Sequence, residues 1–283
     1  MALSFRFGTV GSPKSTPKKP GGSVGAVLRI AELGLNALEL GWVRAVRVSE
    51  KTCAAIKQTA AENDVALSVH APYFINLNAD ETEWPKSRKR LADAAYYGYL
   101  AGATDIVFHP GSYFGRPPAE VLKVMMPRLE QLAAELAEKG VAVTLRPETM
   151  GKSAVFGSLE DTLALSQAIP SVEPCLDFAH LHARPGNGSM NSYDEWARVL
   201  EAYGKALGDD ALKRLHIHLS GIAYGAKGEQ NHLPISEADL DVKAIFRALA
   251  DFHAAGRIMC ESPILEDDAL LLKQMWQEIS GEE

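Results

Sequence analysis

Six residues that can bind a metal ion or move a proton stand at, or within three residues of, the end of a short apolar run: His70, His109, Glu148, Asp177, His218 and Glu261. Imidazole and carboxylate together form the donor set of zinc and similar first-row metals. Taken singly, each has an ordinary explanation as a salt bridge, a helix cap or a satisfied core group. The recurrence is harder to dismiss, because parallel strands of a closed barrel bring their C-terminal ends to one rim. Residues scattered along the chain would then meet in one metal-binding mouth.

Strand parity refines the set, since side chains two apart share a face. Within residues 214–219, His216 and His218 fall on one face and Leu215, Ile217 and Leu219 on the other. His218, nearer the C-terminal end, is the expected ligand; His216 is expected one layer deeper, as an orienting partner or a core histidine. Further donors follow in the adjoining loops, His180 three residues after Asp177 and His232 three residues after Glu229. Mixed nitrogen and oxygen donors in this number suit Zn2+, with Mn2+ a possible substitute, better than magnesium or calcium.

The elements that must position these groups are legible as alternation. Short apolar runs at 6–10, 37–40, 66–69, 105–108, 142–145, 173–176, 214–219 and 257–260 read as strands. Between them, segments such as 49–63, 87–101, 118–139, 159–168, 241–253 and 267–279 have helical spacing, with a weaker one at about 25–33. Ser158 is a start signal, Pro118 falls early in its helix, and Gly140 is a stop signal. The expected fold is α/β, a single-domain (β/α)8 TIM barrel over residues 1–283, with the long loops 11–22, 76–86, 183–192 and 220–234 forming its active face.

Composition agrees. Hydrophobic residues make up 47% and charged residues 23% of the 283, with no low-complexity tract, as in an ordinary globular chain. No N-terminal stretch has the basic-then-apolar pattern of a secretory signal and no apolar run approaches the roughly 18 residues of a membrane helix, so a cytoplasmic protein without membrane contact is expected. The sparse cysteines Cys53, Cys175 and Cys260 suggest core thiols rather than disulfides.

Several stretches resemble the endonuclease IV class of apurinic/apyrimidinic (AP) endonucleases. They are His70-Ala71-Pro72-Tyr73-Phe74-Ile75-Asn76-Leu77, Phe108-His109-Pro110-Gly111-Ser112, Pro147-Glu148-Thr149, Asp177-Phe178-Ala179-His180, His218-Leu219-Ser220-Gly221 and Glu261-Ser262, spread over nearly the whole chain. The resemblance implies a zinc-dependent phosphodiester hydrolase of DNA base excision repair. It would cleave duplex DNA 5′ to abasic sites, leaving a 3′ hydroxyl and a 5′ deoxyribose phosphate, and would act as a monomer.

Carried over residue by residue, it implies one zinc on His70, His109 and Glu148. A second would share Glu148 with Asp177, His218 and Glu261, and a third would take His180, Glu229 and His232. Glu148, as the bridging carboxylate, is also the implied catalytic residue. Tyr73 and Phe74 are the implied DNA contacts, as wedges beside the lesion; from the residues themselves, Arg44 and Arg47 are candidates for minor-groove or phosphate contact, and Gly111 and Ser112 suit close approach of backbone or hydroxyl to a phosphate. The chain departs from the family at the third set, where better-known members carry Asp-x-His rather than Glu-x-x-His, and a two-metal enzyme is then the fallback. The Arg146-Pro147-Glu148-Thr149 stretch also differs from the usual surroundings of that glutamate.

The net charge of −7 speaks against a nucleic-acid partner at first sight, but three bound Zn2+ would bring it close to neutral. The short basic stretch 14–19 could grip phosphates or simply be solvated. A metal-dependent sugar isomerase or epimerase on the same barrel is the alternative. A DNA-lesion binder without turnover is a second.

Overall fold

Each βα unit forms because a short apolar run can pair on both edges while the amphipathic segment after it covers the sheet. The computed structural model describes residues 4–281, so the ends of the domain expected over 1–283 lie outside the described residues. In chain order the elements are β1 (Phe5–Val10), α1 (Gly22–Glu32), β2 (Ala37–Gly41), α2 (Glu50–Glu62), β3 (Ala66–His70), α3 (Trp84–Leu100), β4 (Ala103–Phe108) and β5 (Gly111–Ser112). There follow α4 (Pro118–Glu138), β6 (Thr144–Pro147), β7 (Val155–Phe156), α5 (Leu159–Ala168), β8 (Cys175–Asp177), α6 (Phe178–Ala183) and α7 (Tyr193–Leu207). The remainder is β9 (Leu215–Leu219), β10 (Gly221–Gly225), β11 (Gly228–Leu233), α8 (Val242–Asp251), β12 (Gly256–Cys260) and α9 (Glu266–Ser280).

Eight strands pair in the order β6-β4-β3-β2-β1-β12-β9-β8, every pair parallel. The seam between β6 and β8 is joined by bridges of Leu145 with Val172 and of Glu148 with Cys175. The expected single-domain (β/α)8 barrel is therefore observed. Ser158 and Asp161 form a capping box on α5, and Gly140, at a φ of +68°, stands past the end of α4, where the start and stop signals put them. Among the described residues no helix is long and apolar enough to cross a membrane.

Several details differ from the sequence reading, among them a strand expected at 173–176 that runs over Cys175–Asp177 and is followed by the unassigned short helix α6. The strand expected at 142–145 lies two residues later, at Thr144–Pro147, because its pairing with β4 starts at Asp105 and Thr144. The 220–234 segment is an antiparallel ribbon, β10 with β11, rather than a loop. Tyr193–Leu207, unassigned in the sequence, is α7, which buries Trp196, Val199, Leu200 and Tyr203 at helical spacing.

The barrel interior is polar and layered. Strand parity puts Arg146 one layer below Glu148, Cys175 below Asp177, His216 below His218 and Ser68 below His70. The intervening Ile217 and Leu219 join the apolar layer between sheet and helices. Lowest lies a buried ionic group: Arg146 binds Asp105 (2.6 Å) and Glu173 (3.0 Å), and Arg257 reaches Asp105 from the other side at 3.1 Å. This fills the barrel floor, and the chemistry is left to the rim.

Candidate metal centre

His70 is the last residue of β3, His109 and Glu148 follow β4 and β6 directly, Asp177 ends β8, His218 is the penultimate residue of β9, and Glu261 follows β12. Closure of the sheet brings all six together with His180 of α6 and with Glu229 and His232 of β11. Their donor atoms fall into three sets, each spanning no more than 4.8 Å: His70, His109 and Glu148; Glu148, Asp177, His218 and Glu261; and His180, Glu229 and His232.

The spacings within the sets are those of ligands rather than hydrogen-bond partners. His70 Nε2 and His109 Nε2 each lie 3.4 Å from Glu148 Oε2. His218 Nδ1 is 3.5 Å from Glu261 Oε1 and 3.8 Å from Glu148 Oε1, and His180 Nε2 is 3.5 Å from Glu229 Oε2. Donors arranged tetrahedrally at about 2.0–2.1 Å from one ion stand roughly 3.3–3.4 Å apart. Both oxygens of Glu148, Asp177 Oδ2, His70 Nε2 and His218 Nδ1 are buried without a hydrogen-bond partner. Buried polar atoms left this way are costly, and divalent cations in the two sets that share Glu148 would satisfy all five.

The electrostatics point the same way. Burial alone would raise the Glu148 carboxyl, but His109, His180 and His218 around it hold it well below the usual carboxylate range. Burial pushes Asp177 up, to about 6, against the pull of His180 and with help from Glu148 and Glu261. Burial also works to strip the proton from His180, yet Asp177, Glu148 and Glu229 outweigh it and hold the ring at about 10. A mouth with this much carboxylate draws positive charge, whether proton or metal, and the two compete for the same atoms.

The third set explains its own unusual spacing. In a regular strand, residues three apart face opposite sides, which would separate Glu229 from His232. The ribbon register passes from Ala223 opposite Asn231 to Tyr224 opposite Glu229, so Gln230 is an extra residue in β11. This β-bulge shifts the parity and returns Glu229 and His232 to one face. Ser220 Oγ, 2.7 Å from His232 Nδ1, turns the other ring nitrogen toward the site.

Two glycines let the ribbon sit this close. A Cβ on Gly228, at a φ of +93°, would lie 2.1 Å from Gly151 O, and one on Gly151 would lie 2.7 Å from Glu229 Cβ. Arg184 braces the segment beneath by donating to the carbonyls of Met150 and Lys152, both at 2.8 Å. Deleting Gln230 is expected to keep the third set's metal, because Glu229 and the histidine would then be two apart in an unbulged strand. Inserting one residue after Gln230 should lose one metal equivalent per chain by mass spectrometry of the loaded protein, and the reverse pattern would refute the bulge as the cause.

The donors open onto a cleft of about 380 Å³ lined by Tyr73, His109, His180, Glu229, His232 and Glu261 among others. Through Tyr73, His109, Met150 and Glu229 it continues into a second hollow of about 430 Å³ that includes Phe74, Gly111, Ser112 and Lys152. The Tyr73 ring stacks on His109 (5.0 Å between centroids) and meets His70 edge-on, while Phe74 is 62% exposed with the Arg90 guanidinium 5.7 Å from its centroid. Gly111 is required where it stands, since a Cβ there would be 2.2 Å from Asn76 Oδ1. Ser112 Oγ accepts from Phe114 N at 3.2 Å.

Arg44 and Arg47 are exposed in the segment after β2, outside the linings of both hollows. In the 14–19 stretch the Lys14 and Ser15 amides donate to the Glu266 carboxylate at 2.8 Å, tying this loop to the start of α9 with the lysine side chains exposed. The three cysteines are buried and free.

One residue near the centre has no counterpart in the sequence reading. Glu39, in the middle of β2, is fully buried between His216, His218 and Ser68. A carboxylate inside the run Ala37-Leu38-Glu39-Leu40 was the available signal.

A family model described as a xylose isomerase-like TIM barrel matches residues 27–278. The chain belongs to that family. Its relatives among the xylose isomerase-like TIM barrels include an uncharacterized protein of Methanocaldococcus jannaschii, 37% identical over 274 residues, which are 96% of this chain and 97% of that one. Endonuclease 4 of Thermus thermophilus is 28% identical over 234 residues, 80% of this chain and 82% of its own. Two solved structures share the fold: an endonuclease IV from Thermus thermophilus (TM-score 0.73, 23% identity, 98% of this chain and 100% of that one) and a D-tagatose 3-epimerase-like protein (TM-score 0.71, 20% identity, 92% and 97%). Family and relatives place the chain among enzymes of this barrel class, with side-chain clusters able to hold metal ions.

Proposed function

We propose that the chain is a zinc-dependent endonuclease that hydrolyses the phosphodiester 5′ to abasic sites in duplex DNA. The observation that carries this reading is the convergence of three donor sets on one mouth, two of them sharing Glu148. Five imidazoles among the donors favour zinc over the oxygen-rich sites of magnesium or calcium. Bound there, Zn2+ would supply Lewis acidity toward the phosphoryl oxygens and bring the pKa of a water to about 7.

The chain's own groups do the rest. Glu148 presents one oxygen to His70 and His109 and the other toward His180 and His218, and so fixes the separation of the first two sets. Tyr73 packs on His70 and His109 and limits how those rings turn. Phe74, further out, is the apolar side chain free to enter a gap in a base stack, and an abasic nucleotide leaves one. Gly111 and Ser112 line the same hollow, where a phosphate could approach backbone and hydroxyl closely.

The test is incision of a duplex oligonucleotide carrying a single tetrahydrofuran abasic analogue, with the protein's metal content measured on the same sample. Cleavage 5′ to the lesion with a 3′ hydroxyl product, and about three zinc per chain, are expected. An intact duplex with one manganese per chain would favour the sugar isomerase or epimerase instead. Lesion binding without cleavage by the zinc-loaded protein would leave only the binder.

A further inference from the structure

We infer that Glu39 is a positioning residue that fixes which nitrogen of His218 faces the metal centre; this rests on the metal-binding part of the proposed function, not on the choice of substrate. Glu39 lies in the layer beneath the rim, paired in register with Ser68 across β2 and β3. Ser68 Oγ donates to Glu39 Oε2 at 2.7 Å, and His216 Nε2 lies 2.9 Å from the same oxygen. The other oxygen, Oε1, stands 3.0 Å from His218 Nε2. That approach is oblique, but neither atom has another hydrogen-bond partner. Each can be satisfied by the other after a small ring rotation.

A carboxylate can only accept. A ring nitrogen facing Glu39 must therefore carry a proton, and in a neutral imidazole the opposite nitrogen then presents its lone pair. For His218 that opposite nitrogen is Nδ1, the atom 3.5 Å from Glu261 Oε1 and 3.8 Å from Glu148 Oε1. For His216 the same rule leaves the lone pair on Nδ1, which is buried and has no hydrogen-bond partner. One buried anion thus sets both rings, holding His216 as a spacer below and His218 as a donor above. Partners of this kind beneath a ligating histidine raise its basicity, and their loss typically weakens metal binding about 10–100-fold.

Zinc-loaded, isotopically labelled full-length protein tests this in the wild type by imidazole ¹H–¹⁵N spectroscopy. A protected proton on His218 Nε2, with Nδ1 showing the shift of a metal-bound nitrogen, is expected; a proton on Nδ1 would overturn the proposal. In Glu39→Gln the amide can offer its own N–H to His218 Nε2. That variant should lose the Nε2–H signal and bind the zinc of the Asp177, His218 and Glu261 set about 10–100-fold more weakly in chelator competition, with Glu39→Asp recovering part of the loss. A Glu39→Gln protein that is less stable yet keeps both the His218 signal and its zinc affinity would reduce Glu39 to packing. None of these readouts depends on DNA cleavage, so failure of incision and failure of this assignment are separable.

Discussion

Glu148→Gln is expected to leave a folded protein whose turnover on abasic DNA is at least about 10³-fold lower, because the exchange removes charge from the one carboxylate common to two donor sets. Both of its oxygens are buried, face imidazole nitrogens of four histidines and accept no hydrogen bond. A glutamine of the same shape would point an N–H at some of those nitrogens and could not bridge two cations with equal strength. The loss should fall on kcat rather than on affinity for the duplex, since the phosphate and base-stack contacts proposed for Phe74, Gly111 and Ser112 are elsewhere in the cleft. Single-turnover incision with metal content measured on the same sample decides it. Near-normal cleavage by a fully loaded variant would remove Glu148 from the mechanism.

Asp105→Asn is expected to destabilise the barrel by about 3 kcal/mol or more, without acting on the donors directly, because it leaves buried Arg146, and half-buried Arg257 beside it, short of a counter-charge. Burial would raise the Asp105 carboxyl, but Arg146 and Arg257 outweigh it and hold it well below the usual range. Between that folded value and the unfolded one of about 3.9, the unfolded chain is the form that binds the extra proton. The stabilisation from this carboxylate is therefore complete above about pH 4 and drains away as the pH falls further. Urea unfolding of the two proteins side by side should show their full difference at pH 7 and a narrowing one below about pH 4. A constant difference over that range would mean that Asp105 contributes through packing alone.

How much of this was legible in the sequence depends on where a residue sits in its strand. The candidate rim donors could be read because each closes an apolar run, so that its polarity interrupts a pattern; His218 could be ranked above His216, which shares its face, only because it stands nearer the C-terminal end of the strand. Glu39 offered only a carboxylate inside an apolar run; its role was hidden, because nothing in one strand shows that two histidines of β9 and a serine of β3 will pack against it. The ribbon was also hidden. Gly228–Leu233 is a polar strand with little apolar alternation, and the bulge at Gln230 exists only in its pairing with β10. The helix at Tyr193–Leu207, by contrast, had readable signals in Ser192, Glu195 and the spacing of Trp196, Val199, Leu200 and Tyr203.

The ribbon of β10 and β11 stands outside the ring of eight strands, yet it contributes two of the three donors in the His180 set. Its length and register can therefore vary without disturbing the hydrogen bonding that closes the cylinder. On the proposed reading, an insertion of one residue there would change how many ions the scaffold can hold while the deeper donors keep their places. Metal stoichiometry would then be a separable trait, open to change on its own, with the barrel as the invariant part.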